Sequence, residues 1–220
     1  ALYLHEVVIP NHLPAPPMSR SSLAARPLPA LSENTRLRYA TFILLYLAQG
    51  VPEGVVGAAI PAWLAMQGRT PAEIAAYAAV ISLPASFKIG FAPLVERFTY
   101  LPMGRRRPWL LAGQVGLTLS FAGLAFVPDP LHHLPLLAAG GFAVVAFSML
   151  QDVATDSLAI DVIPPAEQGQ ANSLMWGAKA VGGAGALAAG SWLITTYGFA
   201  AGILFMAGFV LLILPVPLLL

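Results

Sequence analysis

The chain has 220 residues, of which 58% are apolar and 10% charged, with a formal net charge of +1 and a mean hydropathy of +0.76. A water-soluble domain carries about 25% charged residues because its surface must be hydrated, so this composition is that of a membrane protein. Near-neutrality gives no nucleic-acid surface, and the lack of cysteine excludes disulfides, thiolate metal sites and thiol catalysis.

At about 20 residues per span, the length accommodates around six crossings, so the expected fold class is an all-α membrane protein of six transmembrane helices. Residues 1–36 are expected to be a disordered cytoplasmic tail. Pro10, Pro14, Pro16, Pro17, Pro27 and Pro29 are scattered there among Ser, Ala and Arg, without the apolar core and small-residue cleavage site of a signal peptide. Met18 is a candidate native start.

From 37 to 220 the hydropathy pattern predicts a bundle of six segments. The first runs from Leu37 to Met66 and is expected to break near its middle, where Gly50, Val51, Pro52, Glu53 and Gly54 follow one another. The second opens on Thr70, Pro71, Ala72 and Glu73, a capping box with proline at the first helical position, and reaches about Phe91. The third covers Pro108 to Val127 and stops at Pro128, Asp129 and Pro130. The fourth, Leu134 to Ile163, is ended by Pro164 and Pro165. The fifth covers Gly169 to Thr196, and the sixth, Phe199 to Leu220, carries no charge.

Basic residues near the segment ends set the orientation. Arg20, Arg26, Arg36 and Arg38 precede the first segment, and Arg97, Arg105, Arg106 and Arg107 join the second to the third. Arg69 stands alone on the other side. The positive-inside rule therefore puts the N-terminus in the cytoplasm.

Ionisable groups inside the spans are the informative ones, because each costs on the order of 3 kcal/mol at mid-bilayer unless it faces protein or water. They are Glu53, Lys88, Asp152, Asp156 and Lys179. Three acids against two bases imply a polar interior rather than five lipid-facing charges.

Glu53 follows Gln49, Gly50 and Pro52, and reads as lining a cavity at a loosened helix or, alternatively, as a paired group at a proline kink. Asp152 and Asp156, next to Gln151, are four residues apart on one helix face. Two such carboxylates in a medium of low dielectric cannot comfortably both ionise, which suits a proton carrier. The other reading has both ionised and locking helices together through the lysines.

Lys88 either snorkels to the headgroups or faces inward. Lys179 follows Trp176 on a helix whose Ala178, Gly182, Ala186 and Gly190 recur every fourth residue, beside a second stripe of Gly177, Gly185 and Ala189. Such stripes mean close helix packing. Asp161 reads as a salt-bridge partner of the arginine loop. His132 and His133 are adjacent, so their rings diverge; no metal site and no cofactor site are expected.

The run Ala92, Pro93, Leu94, Val95, Glu96, Arg97, followed by Gly104, Arg105, Arg106 and Arg107, resembles the cytoplasmic signature of the major facilitator superfamily. Glu96 stands where aspartate is usual, and Phe98 to Met103 are inserted. With Lys88 upstream, Trp109 downstream, and the run Gln151, Asp152, Thr155, Asp156 leading to Pro164, Pro165, Glu167 and Gly169, it is similar to the branch of AmpG-type muropeptide permeases and acetyl-coenzyme A transporters. Gln168 departs from the arginine common there.

The resemblance implies a secondary transporter that rocks two six-helix halves about a central site, often driven by protons, in a bacterial inner membrane. It implies a cytoplasmic gate of Glu96, Arg97, Gly104, Arg105, Arg106, Arg107 and Asp161. Gln49, Glu53, Lys88, Gln151, Asp152, Asp156, Trp176 and Lys179 would be pathway residues. The partners would be the bilayer, a small solute, protons, and either a C-terminal half or a second copy, since six spans are expected to be a truncated transporter.

A rival class, the membrane phosphotransferases and prenyltransferases, shares a D-x-x-x-D helix but needs further acids to hold a metal diphosphate, and no second acid-rich motif is present. A non-transporting membrane sensor is the third reading.

Overall fold

Asn34 opens the first helix by accepting the Leu37 amide on its side chain at 3.1 Å, which satisfies one of the donors that a helix start leaves unpaired. The structure, a computed structural model, describes residues 31, 33–97 and 106–216, without the side chains of 89, 92, 94 and 96. Most of the expected tail and the last four residues of the sixth segment lie outside the described residues.

All the regular structure described is helical. Helix α1 is Thr35–Gly54 and passes through Pro52; a π-helical turn, Val55–Ala59, links it to α2, Ile60–Met66. Next come α3, Pro71–Ser86, and α4, Lys88–Arg97, followed by α5, Arg107–Ala125. Helix α6 is Leu134–Val162, α7 is Gln168–Tyr197 and α8 is Phe199–Leu212.

The expected break in the first segment is displaced. The helix tolerates Pro52, and the irregularity comes one turn later, where the Ile60 amide donates to the Val55 carbonyl five residues back. The hydroxyl of Tyr77 on α3 donates to the Val56 carbonyl at 3.1 Å, satisfying a group in the widened turn.

The start of α3 is as predicted: the Glu73 amide donates to the Thr70 hydroxyl, and the Glu73 carboxylate accepts from the Thr70 amide at 2.8 Å. The second segment is divided where the sequence reading ran it straight. With Pro84 inside α3, the Phe87 amide donates to the Pro84 carbonyl, and a new helix begins at Lys88.

Among the described residues, three helical stretches are long and apolar enough to cross a membrane: Thr35–Met66, Arg107–Ala125 and Leu134–Val162. Division at Phe87 shortens the second segment, glycines and polar residues dilute α7, and α8 spans only Phe199–Leu212.

Helix α1 packs most extensively on α7, and α5 on α6 and α8, while α3 lies on α6. Lipid tails are as apolar as leucine, so helices in a bilayer associate through close contact and polar bonds. The α1–α7 contact shows this. A Cβ on Gly182 would lie 2.1 Å from the Leu47 carbonyl oxygen, and one on Gly50 would lie 2.2 Å from the Lys179 carbonyl oxygen, so only glycine permits this approach.

The two small-residue stripes of α7 therefore differ. The one containing Gly182 packs against α1, whereas Gly177 and Gly185 of the other have open space where a side chain would go. The apolar core, with Val55, Ile60, Trp63, Leu117, Phe121 and Ile203, gathers around the π-helical turn. At the other end of the bundle, Arg38 pairs with Glu167 and Arg106 with Asp161, tying together the starts of α1 and α5, the end of α6 and the α6–α7 turn.

Candidate functional site

On α1, Tyr46, Gln49 and Glu53 fall at positions i, i+3 and i+7, so they share one face. That face meets α6 and α7. The Glu53 carboxylate lies 2.8 Å from the Lys179 ammonium, which in turn lies 3.4 Å from Oδ1 of Asp152. Lys88 contacts the other oxygen of Asp152 and lies 3.4 Å from Asp156. The Tyr46 hydroxyl donates to Oδ1 of Asp156.

The structure thus joins Glu53, Lys179, Asp152, Lys88, Asp156 and Tyr46 into one continuous chain. Its middle is buried, with Asp152 at 4% exposure and Lys179 at 6%. Its ends are open, since Glu53 is exposed and Lys88 and Asp156 are partly so.

Three carboxylates against two ammoniums leave one negative charge in excess, enough to hold one proton or one cationic group. A buried ion needs partners to offset lost hydration, and here each lysine has two. The break at Phe87 explains Lys88: starting a new helix there turns the residue toward Asp152 and Asp156 rather than out to the headgroups.

Tyr46 and Asp156 also line an open cavity of about 510 Å³ between α1, α6 and α7, together with Gln168, Asn172, Met175 and Trp176. The Trp176 ring is exposed, stands edge-on to Tyr46 with centroids 6.4 Å apart, and lies under the Lys179 ammonium at 5.2 Å. This cation–π contact couples the cavity wall to the ionic chain.

Of the expected gate residues, the structure brings Arg106 and Asp161 together. Arg106 Nε donates to Asp161 at 3.1 Å, and Arg97 is exposed at the end of α4. Arg107 begins α5. The Glu96 side chain, Gly104 and Arg105 lie outside the described residues. Gln151 turns away from the acids: its amide donates to Gln114 at 2.5 Å, and Gln114 donates to the Val210 carbonyl at 2.6 Å.

His132 faces the Asp129 carboxylate at 2.7 Å in the turn between α5 and α6. Among the described residues, no group of three His, Cys, Asp or Glu side chains is placed to hold a metal ion.

Sequence reasoning passed over two residues and one ion pair. Tyr46 has no charge, but counting back seven residues from Glu53 along the helix would have found it. Gln114 was missed because only ionisable groups were sought in the spans, although an amide there also needs a partner. The pair of buried Arg38 with Glu167, at 2.6 Å, joins residues 129 apart and has no local signal.

The sequence profile of the Major Facilitator Superfamily matches residues 41–220. The chain is similar to the anhydromuropeptide permease of Escherichia coli K12, 30% identical over 132 residues, covering 60% of this chain and 26% of that protein. It is also similar to an uncharacterized protein of Haemophilus influenzae, 30% identical over 134 residues, covering 61% of this chain and 31% of that one. A Schizosaccharomyces pombe protein is 27% identical over 136 residues, covering 60% and 26%. The chain thus aligns with about a quarter to a third of the length of these relatives. No solved structure matches significantly.

Proposed function

Because the chain belongs to the major facilitator superfamily, we propose that residues 37–220 form a six-helix half of a secondary transporter. It works with a second half, supplied by further chain or by a second copy, and moves a small solute by alternating access coupled to protons. Its N-terminus and arginine-rich end face the cytoplasm of a bacterial inner membrane.

The observation that carries this reading is the ionic chain from Glu53 through Lys179, Asp152 and Lys88 to Asp156, buried at its middle, which crosses helix boundaries at every link. Charges in a bilayer interior are tolerated when they pair or line a path, and lysines with two acids apiece can exchange partners as a proton arrives. In this account Glu53, Asp152 and Asp156 take up protons, and Lys88 and Lys179 are their exchangeable counter-charges. Arg106–Asp161 is part of the cytoplasmic gate.

The solute is muropeptide-like, as the name of the Escherichia coli relative indicates for that protein. An exposed indole face bordered by Asn172, Gln168 and Asp156 suits a solute with an apolar face edged by hydroxyl and amide groups. The metal-diphosphate enzyme reading loses support because both carboxylates of the D-x-x-x-D pair contact ammonium groups.

The test is uptake of labelled anhydromuropeptide by the complete transporter in proteoliposomes. Accumulation that requires an inward proton gradient is expected. Equal uptake with and without the gradient would remove proton coupling, and no uptake of any muropeptide would remove the substrate class.

A further inference from the structure

Gln49 is only 1% exposed, yet neither its side-chain nitrogen nor its oxygen is hydrogen-bonded to protein. It sits on the polar face of α1 between Tyr46 and Glu53. At about 1.5 Å per residue, Gln49 lies about 4.5 Å along α1 from Tyr46, and Asp152 about 6 Å along α6 from Asp156. Tyr46 is bonded to Asp156, and the start of α1 lies beside the end of α6, so the helices run antiparallel and Gln49 comes level with Asp152. The next residue, Gly50, lies against the Lys179 backbone.

A buried primary amide offers two donors and an acceptor, and is rarely left without partners. Glu53 lies one turn further along α1 from Gln49, and it meets Asp152 only through Lys179. An ammonium has no lone pair and cannot accept a proton from Glu53. A proton passes between these acids without deprotonating Lys179 only if another carrier bridges them.

We propose that Gln49 holds one water between Glu53 and Asp152, and that this water carries the proton around Lys179; the proposal rests on the proton-coupled reading above. Protonated Glu53 gives its proton to the water, breaking its O–H bond, while the water gives one of its own to the Asp152 carboxylate, forming an O–H bond there. The water keeps two protons, and a carboxylate negative charge moves from Asp152 to Glu53 while the cluster, with one proton bound against three acids and two ammoniums, stays neutral. Asp156, one helical turn from Asp152 and sharing Lys88 with it, then takes the proton to the cavity. The ionisable groups of the cluster around this level are Tyr46 and Glu53 on α1, Asp152 and Asp156 on α6, Lys179 on α7 and Lys88 on α4. Gln49 is a positioning residue in this scheme.

The test uses the complete transporter in proteoliposomes with labelled anhydromuropeptide under an imposed proton gradient. Gln49→Met keeps the length of the side chain and removes its hydrogen bonds. It is expected to lower the maximal uptake rate about a hundredfold, the scale of a lost proton-transfer group, with the half-saturating concentration unchanged. Gln49→Glu, which can hold the water, should restore much of the rate and shift its pH profile.

Wild-type rates in Gln49→Met, no restoration by Gln49→Glu, or a Gln49→Met protein that fails to fold would each overturn the proposal. In the last case the amide would be a structural partner. If the wild type ignores the gradient, the coupling reading itself fails and takes this proposal with it. If the wild type couples and Gln49→Met takes up solute at the wild-type rate, only this proposal falls.

Discussion

Two neighbouring residues of α6, Gln151 and Asp152, begin two different polar clusters. Gln151 turns to α5, and its bond to Gln114, with the onward bond to the Val210 carbonyl on α8, is neutral, buried and remote from the cavity. Asp152 turns to α4 and α7, and its cluster is charged, open at both ends and supplied with more than one partner per base. The difference teaches what each can do. A chain of amides with single partners fixes helices in place, whereas a chain of ions with alternative partners can change its pairing when one more charge arrives.

The largest break in this comparison is expected from Asp152→Ala. It strands Lys179, at 6% exposure, beside only one acid, and should destabilise the fold by about 3–5 kcal/mol, read as a lowered thermal unfolding midpoint in detergent. Gly182→Ala comes next. Its methyl group would meet the Leu47 carbonyl, separating α1 from α7 and the ions between them, at the upper end of about 1–3 kcal/mol. Gly185→Ala, with open space around it, should stay within about 0.5 kcal/mol.

Gln114→Leu attacks the neutral cluster, leaving the Gln151 amide without its acceptor. The expected cost is about 1–3 kcal/mol, with proton coupling intact; a lost coupling ratio would erase the distinction between the clusters. Smaller than the loss in Gln114→Leu is that in Tyr77→Phe, which removes one hydrogen bond to the π-helical turn for about 1 kcal/mol, measurable in the same unfolding assay.

Local chemistry made part of this legible in the sequence. The Thr70 capping box, the Pro164–Pro165 stop and the spacing of Asp152 and Asp156 all act within a few residues, and each appears where the sequence put it. Lys88 was ambiguous because a straight helix carries it about 25 Å from Pro71, and only the division at Phe87 turns it inward. Which small-residue stripe of α7 packs, and that Gln151 pairs with Gln114 rather than with the acids, are decided by neighbours distant in sequence. The π-helical turn had no local marker, since Pro52 drew the expected break one turn too early.

The central claim, that the charged cluster and not the neutral one carries protons with solute, is tested most directly by proton uptake. The complete transporter would be compared as wild type, Asp156→Asn and Gln114→Met in proteoliposomes, with external alkalinisation recorded on addition of anhydromuropeptide. The account predicts alkalinisation in the wild type and in Gln114→Met, and none in Asp156→Asn. Undiminished proton uptake in Asp156→Asn would contradict it.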